Sequence, residues 1–359
     1  MSEYVHTSVG NGTGFIVLDR PKALNSLSLA MVRSITQALL AWRDDSAVAA
    51  VVIRSSSGKA FCAGGDIRFF YDVGRAGPQG GSALLEDFFS EEYALNHLIH
   101  FYPKPYIALM DGVVMGGGMG VSQGGPQCRA RIVTERTKMA MPEVNIGLFP
   151  DVGGSYFLAR APGALGYYLG LTGVTINAAD ALYAGLADVY APSADGEVLD
   201  AILESTPGAE LRDAVAAFSP SSQPVAGVLE ANRAAIDRHF GAGSVQAIVA
   251  SLKTDDGAFA QKTLQVMATR SPLMMCVTHE LIKRGAALDV ADCLRLERTL
   301  VRHNFEDGEV IEGIRALVID KDNAPQWKPA SLDEVGEDAV QRFFQPVWPD
   351  YAHPLRHLD

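Results

Sequence analysis

Runs rich in β-forming residues cover 4–9 and 15–18, the second of them wholly apolar, and Asn11-Gly12 stands between them. Two such runs on either side of Asn-Gly predict a β-hairpin. A helical period follows. After Ser28, apolar residues fall at Met31, Val32, Ile35, Leu39 and Trp42, the spacing of a helix that Ser28 would cap. The run VAAVVIRS, 48–55, predicts a buried strand ending in the loop SSGKAFCAGGDI, and a helix begins near Asp66. A Gly- and Pro-rich loop follows at 75–82, then a helix over 83–101 with Leu84, Phe88, Tyr93, Leu98 and Phe101 among its apolar positions. KPYIALMDG, 104–112, predicts a strand feeding the glycine run MGGGMG, and a further short strand lies near RARIVT.

From about residue 177 the pattern turns helical. In SPLMMCVTHELIKRG, 271–285, Ser271 is the N-cap, Pro272 opens the first turn and Gly285 is the terminator. Helices are predicted over 289–304 and 308–319, followed by the loop DKDNAPQWKP. In that loop Asp320 and Asp322 read as turn residues and Trp327 as an anchor for the tail. Alternating strand and helix implies crossover units, hence an α/β core. The expected division is residues 1–190 for the core and 191–359 for a mainly helical C-terminal region.

Composition narrows the function. The 359-residue chain carries a net charge of −12, which argues against a nucleic-acid partner. It does not exclude an anionic small ligand held by a local group of Lys and Arg. No apolar run is long enough to span a membrane. Cys62, Cys128, Cys276 and Cys293 are scattered, with no CxxC pair, so neither a disulfide framework nor a zinc cluster is expected. The first twenty residues show no apolar core and no Arg-rich amphipathic run, and a cytoplasmic location is the expectation.

Two glycine loops, CAGGDI and MGGGMG, each follow a strand and open a helix. Such loops let a ligand approach the backbone and leave N–H groups free at a helix start. Neither matches a P-loop, and counting from Gly116 the sixth position is Val121, so GxGxxG fails too. Tight helix–strand packing is the structural alternative; two loops of one form favour a two-donor oxyanion site. GVSQG, 120–124, fits the nucleophile-elbow pattern at Ser122, with His239, His279 and His303 as conceivable bases. An elbow serine stands directly after its strand, whereas Ser122 lies roughly ten residues beyond it. Cys62, after Phe61 in an apolar run, reads as a small buried residue. The remaining puzzle is MPEVNIGLFPDVGGSYF, which sets Glu143 and Asp151 in otherwise apolar sequence. Acids in such places are either paired or chemically employed.

LDRPKALNSLS, GKAFCAGGDI, KPYIALMDGVVMGGGMG and MPEVNIGLFPDVGGSYFLAR, in this order, resemble the crotonase (enoyl-CoA hydratase/isomerase) superfamily over residues 1–190. EEYALN, GLFPDVGGSYFL and EGIRALVIDKDNAPQWKP resemble its 3-hydroxyisobutyryl-CoA hydrolase branch and extend the likeness over most of the chain. The resemblance implies a spiral of ββα units followed by a mainly helical C-terminal region. It implies an acyl-CoA thioester substrate, with coenzyme A entering as part of that substrate and no separate cofactor or metal. It places the oxyanion-hole donors at Gly65 and Gly117. Glu143 matches one glutamate of the hydratase pair; the other would stand at Gly120, which has no side chain. Asp151 occupies a position where the hydrolase branch has an aspartate. Glu92 matches a substrate-contacting glutamate of that branch, while Glu91 beside it reads as solvated. Lys22 and Ala23 of RPKAL, with Ala63, Asp66 and Gly116 around the glycine loops, are the remaining expected substrate contacts. Lys59 and Arg68 are further candidates for the coenzyme phosphates, and Asp66 also reads as a helix cap.

The implied reaction is thioester hydrolysis in valine breakdown. Glu143 would activate a water or attack directly, and Asp151 would hold the substrate hydroxyl or the water. The alternatives are hydration or isomerisation on the same fold, and a non-catalytic CoA-binding protein. A homo-oligomer is a possible further partner.

Overall fold

The computed structural model describes residues 2–77, 82–126 and 129–359. Cys128 and residues 78–81 of the glycine- and proline-rich loop lie outside the described residues. The chain forms two compact units, each assembled from three segments. The first is Met1–Gly65, Ala94–Ala140 and Thr175–Val228; the second is Asp66–Tyr93, Met141–Val174 and Leu229–Asp359. The last named strand ends at Tyr190, and the segments of the two units alternate along the chain.

All nine strands named here belong to the first unit. The hairpin is β1 (Val5–Gly10) and β2 (Thr13–Leu18), closed through Asn11 and Gly12, both at positive φ. Then come β3 (Ala50–Ser55), β4 (Ala60–Cys62), β5 (Tyr106–Met110), β6 (Val113–Met115), β7 (Arg129–Val133), β8 (Lys138–Ala140) and β9 (Val189–Tyr190). One sheet has the order β1-β2-β3-β5-β7-β9, antiparallel at the hairpin and parallel elsewhere. The other is β4-β6-β8, all parallel. The pairs β3–β4, β5–β6 and β7–β8 thus each give one strand to each sheet. This is the spiral of repeated turns, and it explains the strand spacing along the sequence.

Two expectations are corrected here. The single strand over 104–112 divides at Asp111-Gly112 into β5 and β6, in different sheets. Gly112 sits at φ +80, and a Cβ there would lie 2.4 Å from the Lys59 carbonyl oxygen, so the corner accepts only glycine. The segment read as loop after β3 contains β4, three residues long and too short to show a period.

The helices follow the pattern more closely. Helix α1 (Leu29–Arg43) is capped by Ser28, whose side chain accepts from the Met31 N–H. Helix α2 (Ile67–Ala76) is capped by Asp66, which accepts from the Phe69 N–H. Helix α3 spans Ala83–His100, and α4 is the single turn Gly117–Gly120. In the second unit, α5 (Gly154–Ala159) and α6 (Leu165–Thr172) precede the long helices Pro272–Gly285 and Val290–Asp307. Ser271 caps the first of these as expected, but Gly285 is its last helical residue rather than its terminator. Packing requires the glycine: a Cβ on Gly285 would lie 2.3 Å from the Ser155 carbonyl oxygen. The helix expected over 308–319 begins at Glu309, and its last turn, Arg315–Ile319, widens to a π-turn. Arg315 there binds Asp320 and Asp322 at 2.6 and 2.7 Å, which fixes the turn. Trp327 is half-buried against Gly147, whose Cβ would stand 3.0 Å from its ring.

Each unit has its own core. In the first, alternate residues of the large sheet, among them Phe15, Val52, Ile107 and Ile132, pack with Leu203 and Leu211. In the second, Phe70 meets Phe88 and Phe89 with ring centroids 4.9 and 5.0 Å apart, and Phe89 meets Phe305 at 5.7 Å. Burying each such side chain contributes roughly 1.5–3 kcal/mol.

Helix α1 lies close against β2: a Cβ on Gly14 would come within 2.6 Å of the Trp42 ring. Gly14→Ala is therefore expected to cost about 1–3 kcal/mol in a urea melt. Gly196→Ala, at a helix start with nothing within 4 Å of the new Cβ, should be neutral or stabilise by up to about 1 kcal/mol. Equal losses at both positions would refute the packing argument.

Candidate active site

The first unit builds a backbone site. Leu24 and Asn25 turn the chain with φ of 51 and 56. Asn25 is fully buried and uses all its polar capacity. Its Oδ1 accepts from Arg20 N at 2.7 Å, and its Nδ2 donates to Ser55 Oγ, Ala60 O and Phe61 O at 2.8–3.1 Å. Ala63 N donates to Leu24 O at 3.0 Å and Leu27 N to Gly64 O at 2.7 Å. RPKALN is in this way laced to the first glycine loop. Lys22 and Ala23 sit on the short turn Pro21–Ala23; Lys22 is exposed and Ala23 half-buried. Lys59 is exposed, and so, in the second unit, is Arg68.

The two glycine loops meet. A Cβ on Gly64 would lie 3.6 Å from Gly117 N, and one on Gly118 would lie 2.2 Å from the Cys62 carbonyl oxygen. Gly116 donates to Ala140 O, while Met119 and Gly120 donate back to Gly116 O. Among the described residues, the N–H groups of Gly65 and Gly117 have no protein acceptor. Two unpaired donors on adjoining loops are what an oxyanion needs. Cys62 is fully buried. Ser122 is also buried, and its hydroxyl donates to Met119 O at 3.1 Å, a helix-end bond rather than a nucleophile's contact. The three histidines are engaged elsewhere: His239 with Ser251 and Asp255, His279 with the Ala242 carbonyl, His303 with the Gln345 carbonyl.

The second unit gathers the acids. Glu92 comes from α3, Glu143 opens the 3-10 turn Glu143–Ile146, and Asp151 precedes α5. All three are at most 6% exposed. Tyr93 OH donates to Asp151 Oδ2 at 2.6 Å. Glu92 Oε1 and Glu143 Oε2 are buried with no partner. Burial, and then the charge of Asp151, hold the Glu92 and Glu143 carboxyls well above the ordinary carboxylate range. Burial likewise lifts Asp151 to about 6, against the Tyr93 hydrogen bond that lowers it. Glu91, expected to be solvated, is half-buried. Asp66 is the α2 cap described above.

A fourth acid escaped the sequence reading. Glu297 is fully buried and its carboxyl is pushed up to about 8 by burial. It stands between Cys293 and Leu300 or Val301 on the apolar side of its helix. An acid on an apolar stripe was the available signal. Asn25 was missed as well; within LDRPKALNSLS it reads only as a turn residue. Among the described residues no three His, Cys, Asp or Glu side chains are grouped to hold a metal ion. No described helix is long and apolar enough to cross a membrane.

A family model described as enoyl-CoA hydratase/isomerase matches residues 13–344. The chain is 42% identical to the mitochondrial 3-hydroxyisobutyryl-CoA hydrolase of Danio rerio, over 96% of this chain and 90% of that one. It is 41% identical to the protein of that name from Xenopus tropicalis and 39% to that from Homo sapiens, each over 92–93% of this chain and 86% of the relative. Among solved structures it superposes on a carnitinyl-CoA dehydratase from Mycobacterium thermoresistibile with a TM-score of 0.89 and 40% identity. That match covers 97% of this chain and 98% of the other. An enoyl-CoA hydratase from Rhodobacter sphaeroides gives 0.87 and 38%, over 96% and 98%.

The raised carboxyls have a thermodynamic signature. Folded Asp151 keeps its proton to about pH 6, whereas unfolded it ionises near the ordinary 3.8. The folded state binds the extra proton between those values. The stability this confers is complete below 3.8, is lost as pH rises towards 6, and changes no further above, a span of about 3 kcal/mol. Asp151→Asn cannot titrate. Its stability relative to wild type is expected to rise by about 2 kcal/mol between pH 4.5 and 7.5 in urea melts. A difference independent of pH would refute the assignment.

Proposed function

The chain belongs to the enoyl-CoA hydratase/isomerase family, and we propose that within it this protein hydrolyses an acyl-CoA thioester, 3-hydroxyisobutyryl-CoA, to 3-hydroxyisobutyrate and coenzyme A. This would be a step of valine breakdown. The observation that carries the reading is the pairing of acids. Glu143 is electrostatically linked to a second buried carboxyl at Asp151, itself held by Tyr93. The place of the second hydratase glutamate is taken by Gly120, which is buried and has no side chain. Some similar structures are of a hydratase or a dehydratase, but a hydration on this chain would lack one of its two acids. The curated relatives, similar in identity and matched over most of their length, carry the hydrolase name.

The chemistry follows from the groups available. The N–H groups of Gly65 and Gly117 take the thioester oxygen and stabilise the charge that develops there; each donor contributes about 3–4 kcal/mol. Glu143, with an unpartnered Oε2, takes a proton from water as the water oxygen bonds to the carbonyl carbon. The tetrahedral intermediate collapses with breakage of the C–S bond, and coenzyme A leaves as thiolate. Burial, and then the charge of Asp151, raise the proton affinity of Glu143, and its ionised form is the stronger proton acceptor for it. Asp151 orients the water or the 3-hydroxyl, and Glu92 is the neighbouring substrate contact. Lys22, Ala23, Ala63, Asp66 and Gly116 are assigned to binding of the coenzyme and acyl chain. Buried free thiols at Cys276 and Cys293 fit a reducing compartment, either the cytoplasm or a mitochondrion as in the relatives' names.

One assay separates the readings. With 3-hydroxyisobutyryl-CoA free thiol should appear; with crotonyl-CoA the enoyl absorbance should persist. Hydration of crotonyl-CoA without thiol release from the first substrate would overturn the proposal in favour of a hydratase, and silence with both would leave a binding protein. Glu143→Gln is expected to lower kcat by about 10² or more, and near-normal turnover would remove Glu143 from its role. Ser122→Ala should remain active, and inactivation would restore the elbow serine.

A further inference from the structure

Of the four acids linked electrostatically in the second unit, the mechanism uses Glu92, Glu143 and Asp151. Glu297 is left over, and its contacts are specific. Its Oε2 accepts from Gly153 N at 2.8 Å; its Oε1 accepts from Ser155 N at 2.9 Å and Ser155 Oγ at 2.5 Å. These donors lie two and four residues beyond Asp151. The chain between is contorted: Val152 has φ 54 and Gly153 φ 87. A β-branched residue in the left-handed region costs about 1–3 kcal/mol and persists only where its surroundings enforce it. Val152 is 4% exposed, and Asp151 O accepts from Gly154 N across the turn at 2.6 Å.

We infer that Glu297 is a positioning residue for thioester hydrolysis: its carboxyl clamps the strained turn 152–155 and so fixes the carboxylate of Asp151. Asp151 is then held from both ends, its side chain by Tyr93 OH and its following backbone by Glu297. The hydrogen-bonding pattern demands an acid. The groups facing it are the N–H of Gly153 and the N–H and hydroxyl of Ser155, so two acceptor oxygens are used at once. A glutamine offers one oxygen and turns its NH₂ towards an N–H. The helix that carries Glu297 reaches this turn from 144 residues away in sequence, so the clamp belongs to the tertiary fold and not to the turn itself.

The inference rests on the proposed hydrolase activity, and its test separates the two. Wild type, Asp151→Asn, Glu297→Gln, Ser155→Ala, Val152→Gly and the double variant Val152→Gly/Glu297→Gln are assayed with 3-hydroxyisobutyryl-CoA, per folded enzyme as measured by circular dichroism. Loss of the clamp should lower kcat by about 10- to 10²-fold, the scale of a misplaced catalytic group, while KM stays within about threefold of wild type. Removing the strain should uncouple the two sites, so the loss from Glu297→Gln should shrink at least about threefold in the Val152→Gly background. Where Glu297→Gln fails to fold, Ser155→Ala, which deletes a single bond of the clamp, must show the smaller fall in kcat alone. Normal kcat in Glu297→Gln with inactive Asp151→Asn overturns the clamp and leaves the hydrolase. Equal effects in both Val152 backgrounds, or normal kcat in Ser155→Ala, also overturn it. A wild type that releases no thiol overturns the hydrolase itself.

Discussion

Glu92, Glu143 and Glu297 sit buried close enough to Asp151 for its charge to raise the proton affinity of each. Among the described residues no Lys or Arg is hydrogen-bonded to any of them; their partners are Tyr93, Ser155 and backbone N–H groups. An isolated buried carboxylate costs several kcal/mol, and a cation would ordinarily offset it. Here protons do so. That constraint governs the second unit: the acids must be sealed in, must share charge, and must be aimed by neutral donors. A cation at this place would hold the carboxylates ionised and weaken the base that the chemistry needs.

Much of this was legible in the sequence. The hairpin, the capped helices and the glycine loops announce themselves through local rules, because Asn-Gly, Ser28, Asp66 and Ser271 act over three or four residues. Glu143 and Asp151 stand out because acids interrupt an apolar run. What escaped is non-local. The three-residue strands of the small sheet have no period of their own and are defined by neighbours some 50 and 25 residues away along the chain, as in the registers Ala60↔Val113 and Val113↔Lys138. Glu297 escaped for the same reason. Its helix was expected, yet its role appears only once the turn after Asp151 is brought against it.

The two units also differ in the kind of group each holds. The first holds backbone: N–H groups freed by glycine and a turn fastened by Asn25. The second holds ionisable side chains. Backbone donors survive most side-chain substitution, whereas a change of one acid alters the proton chemistry on offer. This fits a family in which similar structures carry hydratase and dehydratase names and similar sequences a hydrolase name.

The segment order of the second unit has a consequence for synthesis. Its acids arrive on three separate stretches, with Glu297 near the end. Until the helix Val290–Asp307 emerges, a nascent chain has no Glu297 carboxyl to hold the turn after Asp151 in its folded, left-handed geometry. Closing so distant a contact is slow compared with forming the hairpin or the capped helices. The contacts that hold this turn are therefore completed only once a helix from the last fifth of the chain is in place.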